Sequence, residues 1–203
     1  MAKDCRRSYE ARKRGKLMDW KRRNQITKLV DGILDCNVFN RPPVELFDDI
    51  MEYRGIKFKE LDENDEEFCG VYIVIGESKI IFVNSNLYEP RKNFTIAHEL
   101  GHHFLAHPLE DGAIICNKDT IFGSNKPESE KEADYFAACL LMPLKLMKQK
   151  KAEWDKNYIQ QVNLFNATDT QAKTEELIRY LSKYFRVSKE AMSIRLKELK
   201  MIG

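Results

Sequence analysis

All four histidines of the chain fall within ten residues of one another, at 98, 102, 103 and 107, in the stretch NFTIAHELGHHFLAH. His98 and His102 stand four apart, so on an α-helix they share a face and both imidazoles can reach a single ion. Glu99 lies next to that face. A carboxylate there can hold a water, take its proton as it attacks a carbonyl, and hand the proton to the leaving amine. HExxH on a helix is the metalloprotease signature. The expectation is therefore a helix over 93–107, ending against Pro108, with His98 and His102 as metal ligands and Glu99 as general base. The plainer alternative is an amphipathic helix whose histidines merely pack among Ile96, Ala97, Leu100, Gly101 and Phe104.

Two histidines do not complete a hydrolytic zinc site, which usually takes three protein ligands and keeps a fourth position for water. A histidine six residues after His102 would supply one, but that position is Pro108. His107 sits about 140° around an ideal helix from His102 and reads as structural. A second helix, expected over Ser129–Met142 with Ser129 near its start and Pro143 beyond its end, carries Glu130, Glu132 and Asp134. Glu130 and Asp134 are one turn apart and face the same way, so Glu130 can bind the ion while Asp134 orients a ligand histidine through its other ring nitrogen. Glu132 is the rival third ligand. It points roughly 200° away from Glu130, so the two cannot both face the ion. As a bland alternative, acids at a helix N-terminus simply complement the helix dipole. Zinc suits such a donor set, and manganese, iron or cobalt would also be accepted. Spacing does not select an oxyanion stabiliser among Tyr72, Tyr88, Arg91 and Tyr135.

The remaining periodicity is ordinary for a globular chain. Residues 1–36 read as one or two basic helices with an apolar stripe of Trp20, Ile26, Leu29, Val30, Ile33 and Leu34. Asn40-Arg41-Pro42-Pro43 breaks the pattern. A helix with Val44, Phe47, Ile50 and Met51 on one side follows and stops at Gly55. A short strand is expected at 56–58, then an acidic loop at 62–67. GVYIVIG and SKIIFVN, joined at Gly76-Glu77-Ser78, read as a β-hairpin, either core sheet or an edge that holds an extended substrate. Residues 109–127 read as irregular. A Lys-rich helix from 144, a polar linker at 166–172 and helices at 173–185 and 188–200 complete the chain.

The last pair has the cadence of a helix-turn-helix. Ser188 is an apt N-cap, and Arg195, Lys197 and Lys200 could meet phosphates or bases. Its alternative is a docking pair buried through Met192, Ile194, Leu196 and Leu199. Charge is uneven: residues 1–30 carry eleven Lys/Arg against three acids, the remainder 23 against 29. A basic arm of this kind attracts nucleic acid or an acidic partner, or is a solvated helix. The five cysteines (Cys5, Cys36, Cys69, Cys116, Cys139) are scattered and lack a CxxC pair, as free thiols would be. With no apolar run of roughly 20 residues and no signal-peptide pattern, the expected location is cytoplasmic.

Taken together, the two site helices resemble the ImmA/IrrE family of bacterial metallopeptidases, through FTIAHELGH at 94–102 and EKEADYFAACLLMP at 130–143. Pro42-Pro43, Arg54-Gly55-Ile56, the hairpin ending in Val83-Asn84, and Arg91 add to the likeness, which spans roughly residues 40–145. The resemblance implies an α+β fold: a mostly helical zincin-like core with a small twisted β-sheet or hairpin beside the HExxH helix, and a C-terminal helix-turn-helix-like subdomain. The corresponding divisions are a basic helical extension at 1–40, a metallopeptidase core at 41–148 and a helical subdomain at 149–203. By position the resemblance makes His98, His102 and Glu130 the ligands and Glu99 catalytic. Asp134 stands where many relatives have Asn.

The implied activity is a zinc-dependent endopeptidase that cleaves a helix-turn-helix transcriptional repressor and so derepresses genes of a mobile element or a stress response. Two alternatives come from other classes. One is a non-catalytic, metal-stabilised regulator that inactivates a repressor by binding. The other is a DNA-binding regulator that uses the basic N-terminus and the last helices.

Overall fold

The computed structural model describes residues 18–34, 41–65, 67–117, 126–165 and 170–202, with the backbone alone for 159–165. The expectations for residues 1–17, for Cys5 and Cys36, for the break at Asn40 and for most of the 166–172 linker lie outside these residues. Among the described residues the chain is α+β, with seven α-helices and a four-stranded sheet.

The first described helix, α1 (Trp20–Ile33), buries Ile26 and Val30, and Leu34 follows at the same spacing of four. Trp20 does not join this stripe and is 73% exposed. It lies six residues before Ile26, which places it about 240° around the helix. A 3-10 turn (Pro43–Leu46) then leads into α2 (Phe47–Tyr53), whose Phe47, Ile50 and Met51 are buried.

The strands are β1 (Ile56–Leu61), β2 (Phe68–Ile75), β3 (Ser78–Asn84) and β4 (Ala113–Asn117), in the order β1-β3-β2-β4. β2 and β3 form the expected hairpin, in register from Gly70↔Val83 to Ile75↔Ser78 around a two-residue turn. β1 pairs parallel to β3, and β4 antiparallel to β2. The hairpin is thus covered on both sides, so neither of its strands offers an edge to a substrate; the outer strands are β1 and β4. Two expectations are corrected here. β1 runs on to Leu61 because pairing with β3 holds its polar, exposed second half. The 109–127 stretch contains β4, a five-residue run too short to show a period, extended because β2 supplies its hydrogen-bond partners.

The helix α3 (Glu89–Phe104) lies against this sheet, starting four residues earlier and ending three earlier than its pattern suggests. Pro90 is tolerated in the first turn, where backbone N–H groups have no partner within the helix. It crosses α4 (Glu128–Leu141) closely. A Cβ at Gly101 would stand 3.1 Å from Ala133 Cα and 3.2 Å from its carbonyl oxygen, so only the missing side chain lets the two backbones approach this far.

Beyond Pro143 come α5 (Leu144–Phe165), α6 (Thr170–Phe185) and α7 (Lys189–Glu198). Ser188 caps α7 as expected, its hydroxyl accepting from Ala191 N at 3.0 Å. Met192 and Leu196 are fully buried, whereas Ile194 is 62% exposed, against its expected place in the docking face. That face is taken by Arg195, whose buried guanidinium donates to Met142 O, Cys139 Sγ and Glu198 Oε2. One buried apolar cluster runs from Ile26 of α1 through α3 and α4 to Leu196 of α7. Cys69, Cys116 and Cys139 are buried, and no helix among the described residues is long and apolar enough to cross a membrane.

Candidate metal centre

The face that α3 turns towards α4 carries His98 and His102, both essentially without solvent exposure. Their rings meet edge-on with centroids 4.7 Å apart, and their Nε2 atoms are 3.0 Å apart. Glu130, in the first turn of α4, brings Oε2 to 3.1 Å from His98 Nε2 and Oε1 to 3.4 Å from His102 Nε2. Two donors each about 2.05 Å from a tetrahedral ion sit about 3.3 Å apart. The three separations bracket that value. Two imidazole nitrogens and a carboxylate converging on one point form a donor set that fits a metal ion.

The charge pattern agrees. Burial works against a charged His98, but hydrogen bonds to Asp134 and Glu130 outweigh it and raise its pKa. Burial alone would raise Glu130; instead both imidazoles hold it below the usual carboxylate range. His102 is lowered, chiefly by burial. The pocket therefore attracts positive charge, in the form of a proton when no ion is bound.

Glu99 is fully buried and faces the sheet, where a Cβ on Gly70 of β2 would lie 3.5 Å from its Oε1. Neither oxygen meets a well-aligned hydrogen-bond donor among the described residues. Burial pushes its carboxyl up to about 8; the His98 charge pulls the other way, as do, more weakly, the Cys116 thiol and the Tyr72 backbone, while Glu130 adds to the rise. Such a carboxyl takes up and gives back a proton near neutral pH.

Around the donors the arrangement divides the remaining acids. Asp134 places Oδ1 3.0 Å from His98 Nδ1, and its other oxygen is held by Lys126. Glu132 does not approach the donors. It is gripped by Arg22 of α1 and lies 3.2 Å from His107 Nε2. His107 in turn sets Nδ1 2.9 Å from Nδ1 of His102. The 140° offset did not anticipate this, because α3 stops at Phe104 and the chain reverses at Ala106, which has φ 51°. His103 belongs to a different environment. Its Nδ1 is 2.8 Å from the Tyr72 hydroxyl, and burial, with Lys79 and Arg54 nearby, lowers its pKa to about 4.

The four residues considered for oxyanion stabilisation are differently placed. Tyr72 is tied to His103, Arg91 donates to Cys69 Sγ at 3.2 Å, and the Tyr135 hydroxyl meets Thr27 Oγ1 at 3.2 Å. Tyr88 precedes α3 and is 64% exposed. Sequence reasoning missed Arg22, Lys126 and the contact of His107 with His102. The only hint was a histidine just past the helix end, where capping rather than helical geometry decides its direction.

A helix with HExxH, a second helix delivering a glutamate to the same point and a small sheet alongside define a zinc metallopeptidase-like fold. The chain belongs to the family Peptidase_M78, the IrrE N-terminal-like domain, whose model matches residues 51–197. It is also similar to a protein of Bacillus phage phi105 named uncharacterized immunity region protein 2, with 36% identity over 85 residues. That stretch is 42% of this chain and 51% of the phage protein, so the chain matches about half the relative's length.

Proposed function

We propose that the chain is a zinc-dependent endopeptidase in which His98, His102 and Glu130 hold the ion, Glu99 is the general base and Asp134 orients His98. The observation that carries this reading is the convergence of the three donors beside the fully buried Glu99 carboxyl. When bound, zinc lowers the pKa of a water and polarises a carbonyl. Glu99 accepts the proton of the attacking water and returns it to the amine nitrogen of the broken peptide bond. His98 and His102 are held in their ligating tautomers by the groups on their Nδ1 atoms. An extended substrate adds to the outer edge of β4, whose Cys116 lies close to Glu99, and not to the covered hairpin.

The substrate in this reading is a helix-turn-helix repressor, cleaved in the cytoplasm to release the genes it silences. The family likeness supports it, and the name of the phage relative, from an immunity region, is in keeping with it. Glu99→Gln tests the assignment: cleavage of a cognate repressor should fall by about 100-fold or more while zinc stays bound. Undiminished cleavage would remove Glu99 from the chemistry. Derepression that survives without any cleavage would point instead to displacement of the repressor by binding.

A further inference from the structure

We infer that His107, Glu132 and Arg22 form a positioning relay for His102, through which docking of helix α1 is coupled to metal binding. The inference rests on the metal-binding reading above and extends it to residues outside the ligand set.

The relay is a continuous line of polar contacts across three chain segments. His102 Nδ1 and His107 Nδ1 are 2.9 Å apart, His107 Nε2 and Glu132 Oε2 are 3.2 Å apart, and Arg22 Nε donates to Glu132 Oε1 at 2.8 Å while Nη2 takes Oε2. The proton inventory is consistent in one direction. With His102 Nε2 facing the ion, its Nδ1 carries the hydrogen and donates to Nδ1 of His107. His107 must then bear its own hydrogen on Nε2, which faces the Glu132 carboxylate. Arg22 supplies the last two donors. Each N–H of the line then faces an acceptor, and His102 reaches a carboxylate as ligand histidines commonly do, here through an intervening imidazole. His98 meets its carboxylate, Asp134, directly.

The turn that ends the helix places this contact. Ala106 adopts φ 51°, His107 N bonds to His102 O at 3.1 Å and Ala106 N bonds to His103 O at 3.2 Å. This is the hydrogen-bond pattern of a Schellman helix end, with alanine where glycine is usual. The turn aims His107 back at the ligand it follows by five residues.

Arg22 lies before residue 51, where the family match begins. The helix α1 therefore adds to the matched domain a cation that closes the line to the metal ligand. Coupling of this kind is reciprocal: if α1 docking strengthens the hold on the ion, the ion strengthens α1 docking to the same degree.

Zinc affinity of the full chain, read by competition with a chromophoric chelator at fixed pH, tests the relay through a double-mutant cycle. His107→Ala should weaken binding about 10–100-fold and shift the visible absorption of the cobalt-loaded protein. Arg22→Ala should weaken it less, and should have no further effect once His107 is alanine. If His107→Ala fails to fold by circular dichroism, Glu132→Gln takes its place in the cycle with the same expectation. Parent-like zinc affinity in a folded His107→Ala or Glu132→Gln chain overturns the relay while leaving the metal site standing, and so does an equal effect of Arg22→Ala in both backgrounds. A parent chain that binds no zinc overturns the metal reading, and the relay with it.

Discussion

Oδ1 of Asp134 lies 3.0 Å from Nδ1 of His98, and its Oδ2 is held by Lys126. A carboxylate fixed at both oxygens presents one lone pair to the imidazole and so selects the tautomer whose Nε2 is free for a metal. Asp134→Ala should cost about 10–100-fold in zinc affinity. Asp134→Asn keeps an acceptor oxygen in place and should cost less. Equilibrium dialysis of the two variants gives the order; equal affinity for parent and alanine variant would show the carboxylate to be idle.

The charge environment predicts opposite pH responses with and without metal. The folded-state pKa of His98 is raised, and so is that of Glu99. Each contributes stability that is fully present below its unfolded pKa and is lost as pH rises through its folded value. For Glu99 that window runs from about 4.3 up to about 8; for His98 it begins at about 6.5. The metal-free chain should thus melt at lower temperature as pH is raised from 6.5 to 8. Zinc must displace the His98 proton, so its apparent affinity should rise over the same interval, about tenfold per pH unit where one proton is released. Differential scanning fluorimetry with and without zinc tests both trends. A melting temperature that climbs with pH in the metal-free protein would contradict the assigned shifts.

Those groups show why part of the site was legible in the sequence. His98, His102, Glu130 and Asp134 lie within regular helices, where spacing fixes direction: four residues apart means one face, and the 200° separation of Glu130 and Glu132 sends only one towards the donors. His107 lies just beyond a helix end, so helical periodicity misplaced it. β4 was missed for a related reason, since its extended form depends on hydrogen bonds from β2 and five residues carry no period. Arg195 reads as basic from its side chain alone, and its burial depends on Met142, Cys139 and Glu198, two of them more than fifty residues away.

The turn at Ala106 gives a prediction about stability. Ala106 is exposed and has φ 51°, a left-handed conformation that costs an L-residue with a Cβ roughly 1–2 kcal/mol. Glycine removes that cost but loses more entropy on folding, about 0.5–1 kcal/mol. Ala106→Gly should therefore raise stability by about 0.5–1 kcal/mol, with zinc affinity unchanged. Urea denaturation monitored by circular dichroism checks it. A clear loss of stability would mean that the methyl group makes a contact worth more than the strain.

Arg195 separates a packing role for α7 from recognition of a nucleic-acid groove. Arg195 is 3% exposed, and its guanidinium bonds to Met142 O at 3.3 Å and Glu198 Oε2 at 2.8 Å. Glu198 also pairs with Arg23 of α1 at 3.0 Å, so Arg195 ties α7 to the end of α4 and, through Glu198, to α1. Arg195→Ala leaves a buried carbonyl without its donor and removes one of the two cations on Glu198. The expected loss is on the order of 3 kcal/mol, whereas Lys197→Gln and Lys200→Gln should change stability by no more than about 0.5 kcal/mol. Urea unfolding of the three variants gives the contrast. An Arg195→Ala chain as stable as the parent would mean that the apolar residues Met192 and Leu196 hold α7 by themselves, and would free Arg195 for another task.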